Sequence, residues 1–184
     1  MTRFRTTVRT DDILQVDPDR IWSVLHDPDL LAELTPAVAQ ITTDGDRWCW
    51  RLVGINAMGV SAAPSFTERM SFAEDARRID FRHDPPAGKS EAAGATGTYH
   101  LIAIDDGTYD GTYVGIELTA HVDLPLPKLA GGAVRRVMER TIVAGGQRFA
   151  DRLMAHLHIT HSRGIQVVPS DAAWPRVKQV PNSP

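Results

Sequence analysis

Two hydrophobic periods divide the chain. From residue 38 to residue 122 the apolar positions alternate with polar ones. Trp48, Trp50 and Leu52 share one parity in Arg47–Ile55, and Phe66, Met70 and Phe72 share one in Ser65–Phe72. Ile79 and Phe81 do the same in Arg78–His83. Gly97–Ile104 and Thr112–Val122 follow, the latter with Val114, Ile116, Leu118, Ala120 and Val122 on one face. Strict alternation predicts strands with one buried and one wet face, as in an antiparallel sheet. Val38–Thr43 and residues 3–15, rich in Thr, Val and Ile, are predicted strands too. Asp44-Gly45-Asp46 and Asp106-Gly107 supply turn chemistry.

Helical period appears twice. Asp17 can cap a helix whose first turn holds Pro18, with Ile21, Trp22 and Leu25 on one face. Asp27-Pro28 repeats the signal ahead of Leu30, Leu31 and Leu34, and Thr35-Pro36 stops it, because the residue before proline avoids the helical region. Residues 17–35 therefore predict two short helices meeting at a bend. Segment 133–157 places Val134, Val137, Met138, Ile142, Gly145, Phe149, Leu153 and Leu157 at steps of three and four, a helix about 40 Å long. Gly145-Gly146 in its middle costs about 1 kcal/mol per glycine relative to alanine, so close approach, a kink or room for a guest is expected there. Residues 159–184, with four prolines and no period, are expected to be an irregular extension in which Ile165, Val167, Val168 and Trp174 dock on the body.

Composition narrows the reading. The 184 residues carry 42% hydrophobic and 23% charged positions and a formal charge of −3, ordinary for one globular domain. No basic excess points to nucleic acid. A single cysteine, Cys49, excludes an intrachain disulfide framework. No run of about 18 apolar residues predicts a membrane span, and the first residues lack a signal-peptide core. A soluble cytoplasmic domain is expected, with transient membrane contact left open and no statement on oligomeric state.

The order is strand, two short helices, about six antiparallel strands and one long helix. A curved sheet of that size has more apolar face than one helix can cover. The expected product is an α+β domain over residues 1–158, with an apolar hollow between sheet and helix closed at one end by the short helices. Such a hollow with few polar groups is the usual form of a small-molecule site.

Residues 17–25 (Asp-Pro-Asp-Arg-Ile-Trp-Ser-Val-Leu), Asp27 to Leu31, Gly97-Thr98-Tyr99, Gly111-Thr112 and the final long helix together resemble the START-like, or SRPBCC and Bet v 1-like, superfamily. The nearest flavour is its polyketide cyclase/dehydrase and lipid-transport group, including coenzyme Q-binding relatives. The resemblance covers roughly residues 3–157. It implies the helix-grip fold, a curved antiparallel sheet wrapped around a long C-terminal helix, and a hydrophobic small-molecule ligand. It does not imply turnover, since the superfamily includes carriers, sensors and enzymes.

Glu68 shares parity with Phe66, Met70 and Phe72. A carboxyl among apolar groups must be paired, hydrogen-bonded or protonated, which makes it a polar anchor, an acid/base group, or one half of an ion pair with Arg51 or Arg82. His100 shares parity with Thr98, Ile102 and Ile104 and is the second candidate acid/base or anchoring group. The opposite face, with Tyr99 and Leu101, is almost as apolar, so Tyr99 takes over that role if it points inward. The expected apolar lining comes from Trp48, Trp50, Phe66, Met70 and Phe81, from Ile116 and Leu118, and from Met138, Ile142, Gly145 and Phe149 on the helix. His121 has the parity of Glu117 and Thr119 and reads as surface.

Other chemistry is thinly supported. His156, His158 and His161 have loose spacing for a metal, no G-x-S-x-G elbow is present, and no cofactor is called for. Met58-Gly59 and Pro85-Pro86-Ala87-Gly88 read as solvated loops. The leading expectation is binding or transport of a lipid, isoprenoid or polyketide-like molecule. The alternatives are an aromatase/cyclase-like enzyme using Glu68 or His100, and an accessory protein-interaction module.

Overall fold

Each aspartate–proline pair opens a helix. The Asp17 carboxylate accepts the Asp19 N–H at 2.7 Å at the start of α1 (Pro18–His26). Asp27 accepts from the Asp29 and Leu30 N–H groups, each at 3.0 Å, at the start of α2 (Pro28–Leu34). These bonds satisfy donors that a helix cannot satisfy itself. Ile21, Trp22, Val24 and Leu25 of α1 and Leu31 and Leu34 of α2 are buried.

The structure is a computed structural model that describes residues 1–53, 64–104, 111–159, 164–169 and 171–175, with the backbone of 55–57, 60–62, 105 and 110. Asp106-Gly107, Met58-Gly59 and His161 lie outside the described residues. The strands are β1 (Thr2–Leu14), β2 (Val38–Asp44), β3 (Arg47–Leu52), β4 (Ile55–Ala57), β5 (Val60–Ala62), β6 (Ser65–Ala73), β7 (Arg78–His83), β8 (Ala93–Asp105), β9 (Asp110–Leu124) and β10 (Gln166–Val167). Eight form one antiparallel sheet in the order β10-β1-β9-β8-β7-β6-β3-β2, and β4 and β5 form a separate hairpin. The alternation from Arg47 to Ile55 is thus split: β3 ends at Leu52, just before the Gly54 that interrupts the pattern.

Register decides which side chains face inward. Leu14, Val8 and Phe4 of β1 lie beside Thr112, Leu118 and Val122 of β9. Tyr99 and Gly97 of β8 lie beside Ile116 and Leu118 on one side and Ile79 and Phe81 on the other. Met70 lies beside Phe81, and Trp48 beside Glu68. Gly97 is required here: a Cβ would stand 2.6 Å from the Phe81 ring and closer still to the Glu117 carbonyl.

The long helix α3 (Gly131–Leu157) crosses this face after a 3-10 turn at Lys128–Ala130. Its C-terminal third is cemented: Ala150, Leu153, Met154 and Leu157 are buried with α1, α2, Leu14, Trp48, Met70, Ile79, Phe81 and Leu101. Arg20 of α1 donates to the Leu157 carbonyl at 2.9 Å, and Arg152 donates to the Glu33 carbonyl at 3.2 Å. The helix ends at His158 in the left-handed conformation, φ 54°.

The segment after 158 meets the opposite, outer face. β10 pairs with β1 at Thr10 and Asp11, and the Val168 N–H donates to the Arg9 carbonyl at 3.0 Å. Trp174 lies under the Arg9 guanidinium, 3.5 Å from ring centroid to Cζ, and 4.4 Å from the His100 ring. Arg9 also donates to the Ala172 carbonyl. Gly115 is the floor of this slot, since a Cβ there would stand 2.2 Å from Trp174.

Candidate functional site

Between its cemented end and Gly131, which is buried beside Phe4, α3 is less covered. A Cβ built at Gly145 meets no atom within 4 Å. On the same helix face Val134, Met138, Ile142 and Phe149 all keep accessible surface. Opposite them Val114, Ile116, Leu118, Trp50, Phe66 and Tyr99 are likewise only partly buried. Two apolar faces that meet would bury each other, because close-packed interiors leave few voids. Here both remain partly accessible, although Trp50, Phe66, Tyr99, Val114, Leu118 and Phe149 also pack against the core, so the two faces do not close completely on each other. Tyr99 makes the point alone, being deep in the molecule yet still presenting surface.

Three polar groups mark one wall. Glu68 is 3% exposed, and among the described residues no cation forms an ion pair with it. Arg51 instead donates to Gln40, and Arg82 is exposed. Burial pushes the Glu68 carboxyl up to about 8, opposed only by the nearby Trp50 indole. The Trp50 N–H closes no hydrogen bond of its own, although its nitrogen is buried. Burial and the charge of Glu68 both raise the Tyr99 phenol, so it stays protonated. At neutral pH the wall therefore offers a mostly neutral carboxyl, the indole N–H beside it and a phenol. All three can donate a hydrogen bond.

The remaining predicted site residues divide. Trp50 and Phe66 stack with planes 5° apart and centroids 6.1 Å apart. Trp48, Met70 and Phe81 occupy the inner face but are closed into the packed core, so they support the hollow rather than line it. His100 requires correction. It belongs to the outer face, against Trp174, and Tyr99 takes the inward place. Both faces of this strand are apolar because both are covered, one by the inner core and the other by the C-terminal segment. Burial and nearby Arg78 and Arg9 lower the His100 pKa there.

His121 is also corrected from surface to buried. Its face is the predicted one, but the ring packs edge-on against His83 at 4.8 Å, over Gly94. Nearby, Glu91 accepts from the Thr67 N–H at 2.7 Å, the Thr67 hydroxyl at 2.8 Å and His83 Nε2 at 2.9 Å. An outer groove of about 400 Å³ beside Cys49 thus has Thr67 and Glu91 of its wall bonded to each other, the rest being Pro64, Pro86, Ser65, Lys89, Ser90 and alanines. Sequence reasoning missed Asp12, a buried acid on the inner face of β1 whose Oδ1 accepts the Ile13 N–H at 2.7 Å. Its parity with Val8 and Leu14 was the available signal. Among the described residues no group of three or more His, Cys, Asp or Glu side chains is arranged to hold a metal.

The family model for polyketide cyclase / dehydrase and lipid transport matches residues 1–155. The chain belongs to this family. No curated protein matches it in sequence. Solved structures similar to this polyketide cyclase/dehydrase family member include the Zhui aromatase/cyclase from Streptomyces sp. R1128, with 14% identity, TM-score 0.60, and coverage of 84% of this chain and 94% of that one. TTHA0849 from Thermus thermophilus has 19% identity and TM-score 0.59 over 82% and 99% of the two chains. Truncated norcoclaurine synthase from Thalictrum flavum has 14% identity and TM-score 0.55 over 85% and 96%. At these identities the similarity establishes the helix-grip fold and leaves the chemistry of the site to its own residues.

Proposed function

We propose that this chain is a cytoplasmic carrier or sensor that binds a hydrophobic small molecule, of lipid, isoprenoid or polyketide-like character, between α3 and the sheet. The observation that carries the reading is the open space at Gly145 between two apolar faces that stay accessible. Apolar burial at about 25 cal/mol per Å² supplies the affinity. Glu68, Trp50 and Tyr99 orient the guest by donating to a neutral acceptor oxygen. A carboxylate guest is disfavoured, because the inner face of the sheet presents no cation among its described residues to pair with it. Native mass spectrometry of gently purified protein tests this, with Nile red titration as a second readout. A co-purifying apolar molecule displaced by the dye is expected. A bare protein that fails to bind Nile red overturns the reading.

A second reading rests on Glu68 itself. A carboxyl raised to about 8 holds or releases a proton near neutral pH, as a general acid or base must. In that reading the hollow folds a reactive chain and Glu68 moves the proton. Glu68→Gln then slows conversion of the co-purified molecule at least about tenfold, whereas in a carrier the variant changes affinity alone.

A further inference from the structure

Five of the eleven described arginines outside residues 125–150 form ion pairs. Arg3, Arg47, Arg69, Arg77 and Arg78 each meet an Asp carboxylate. Residues 125–150 break that pattern. They contain five cations, Lys128, Arg135, Arg136, Arg140 and Arg148, and a single acid, Glu139, in a chain whose totals are 20 cations and 23 acids. Among the described residues none of these five cations has an ion-pair partner. The same stretch carries three of the six large apolar side chains that the fold leaves in water among the described residues. Leu129 in the 3-10 turn is 98% exposed, Leu126 just before it 41%, and Val137 of α3 64%. Exposed leucines flanked by unpaired cations are the composition of a segment that lies in a bilayer interface.

Position adds to composition. The turn leads into α3 at Gly131, beside Phe4, and along the following half Val134, Met138 and Ile142 remain accessible. Arg136 and Arg140, four residues apart, are exposed on the flank away from those residues. Their long side chains reach toward headgroups while the leucines enter the acyl boundary. Thr2 pairs with Leu124, which brings the exposed Met1 to the same end.

We propose that residues 125–130 and the N-terminal half of α3 form a docking surface for an anionic lipid bilayer. The opening of the hollow then lies at the membrane, where an apolar guest can pass without crossing water. Because the acidic remainder of the chain is repelled by the same surface, the protein meets the bilayer in one orientation.

Sedimentation with vesicles tests this independently of what the hollow holds. Vesicles of phosphatidylcholine with phosphatidylglycerol should bind the protein, and vesicles of phosphatidylcholine alone should bind it far less. Raised salt should weaken the binding. Arg136→Gln with Arg140→Gln should lower it about thirtyfold, at about fivefold per charge, and Leu126→Ser with Leu129→Ser should abolish it. Melting curves should be unchanged, since these side chains stand in solvent. Equal binding to both vesicle types, no binding to either, or wild-type binding by the variants overturns the proposal. So does a dimer that the leucine variant dissociates, which would make the patch a contact between copies of the chain.

Discussion

Replacing Gly145 by leucine separates an open hollow from a packed one by sign. In a filled core, extra methylenes cost about 1–3 kcal/mol. Here no atom stands within 4 Å of the new Cβ, and in an open hollow the outer methyls escape that cost as well. The helix meanwhile gains roughly 0.7 kcal/mol, because glycine is a poor helix former. For a chain of this size that raises the melting temperature by about 2 °C. The same side chain takes the place of ligand. If it displaces three methylenes of the guest, at about 0.8 kcal/mol each, affinity falls by about 2.4 kcal/mol, or about sixtyfold. Thermal melts and Nile red titrations of Gly145→Leu should therefore move in opposite directions, with stability up and affinity down. A fall in melting temperature, or unchanged dye affinity, refutes the hollow at this position.

Glu68 predicts an inverted pH dependence. Its carboxyl is held at about 8 in the fold against an ordinary 4.5, so between those values the folded state keeps a proton the unfolded chain has lost. Its contribution to stability is fully present below about pH 4.5, falls as pH rises and levels off above about 8. Glu68→Gln should remove that slope and gain roughly 3 kcal/mol over wild type at pH 7 relative to pH 4; urea melts with parallel pH profiles for the two proteins would refute this. On the outer face, Gly115→Ala should expel Trp174 by steric conflict and reproduce Trp174→Ala, with proteolysis after residue 158 accelerated in both. Unchanged protection in Gly115→Ala would mean that the tail is held by other contacts.

Local rules made the helix starts and strand parity legible. The caps at Asp17 and Asp27, the inward stripe of β9 and the inward face of Glu68 all follow from neighbours within a few residues. What could not be read was set by distant chain. Tyr99 and His100 were indistinguishable by parity, because the outer face of β8 is covered by Trp174, far along the sequence. His121 was assigned to the correct face, but its burial depends on its ring contact with His83 of another strand, which parity does not report. Trp48, Met70 and Phe81 share the parity of Trp50 and Phe66, and parity does not report that the cemented end of α3 closes over them.

The uneven attachment of α3 has a mechanical consequence. A rod held at both ends, by Gly131 beside Phe4 and by Ala150 to Leu157 in the core, yields most in its middle, where the glycine pair lies. Small bends there widen the gap, so a guest can be exchanged by flexing one element while Leu153, Met154 and Leu157 keep their contacts. Amide hydrogen exchange should accordingly be graded along this single helix, fastest around Gly145 and Gly146 and slow from Ala150 onward.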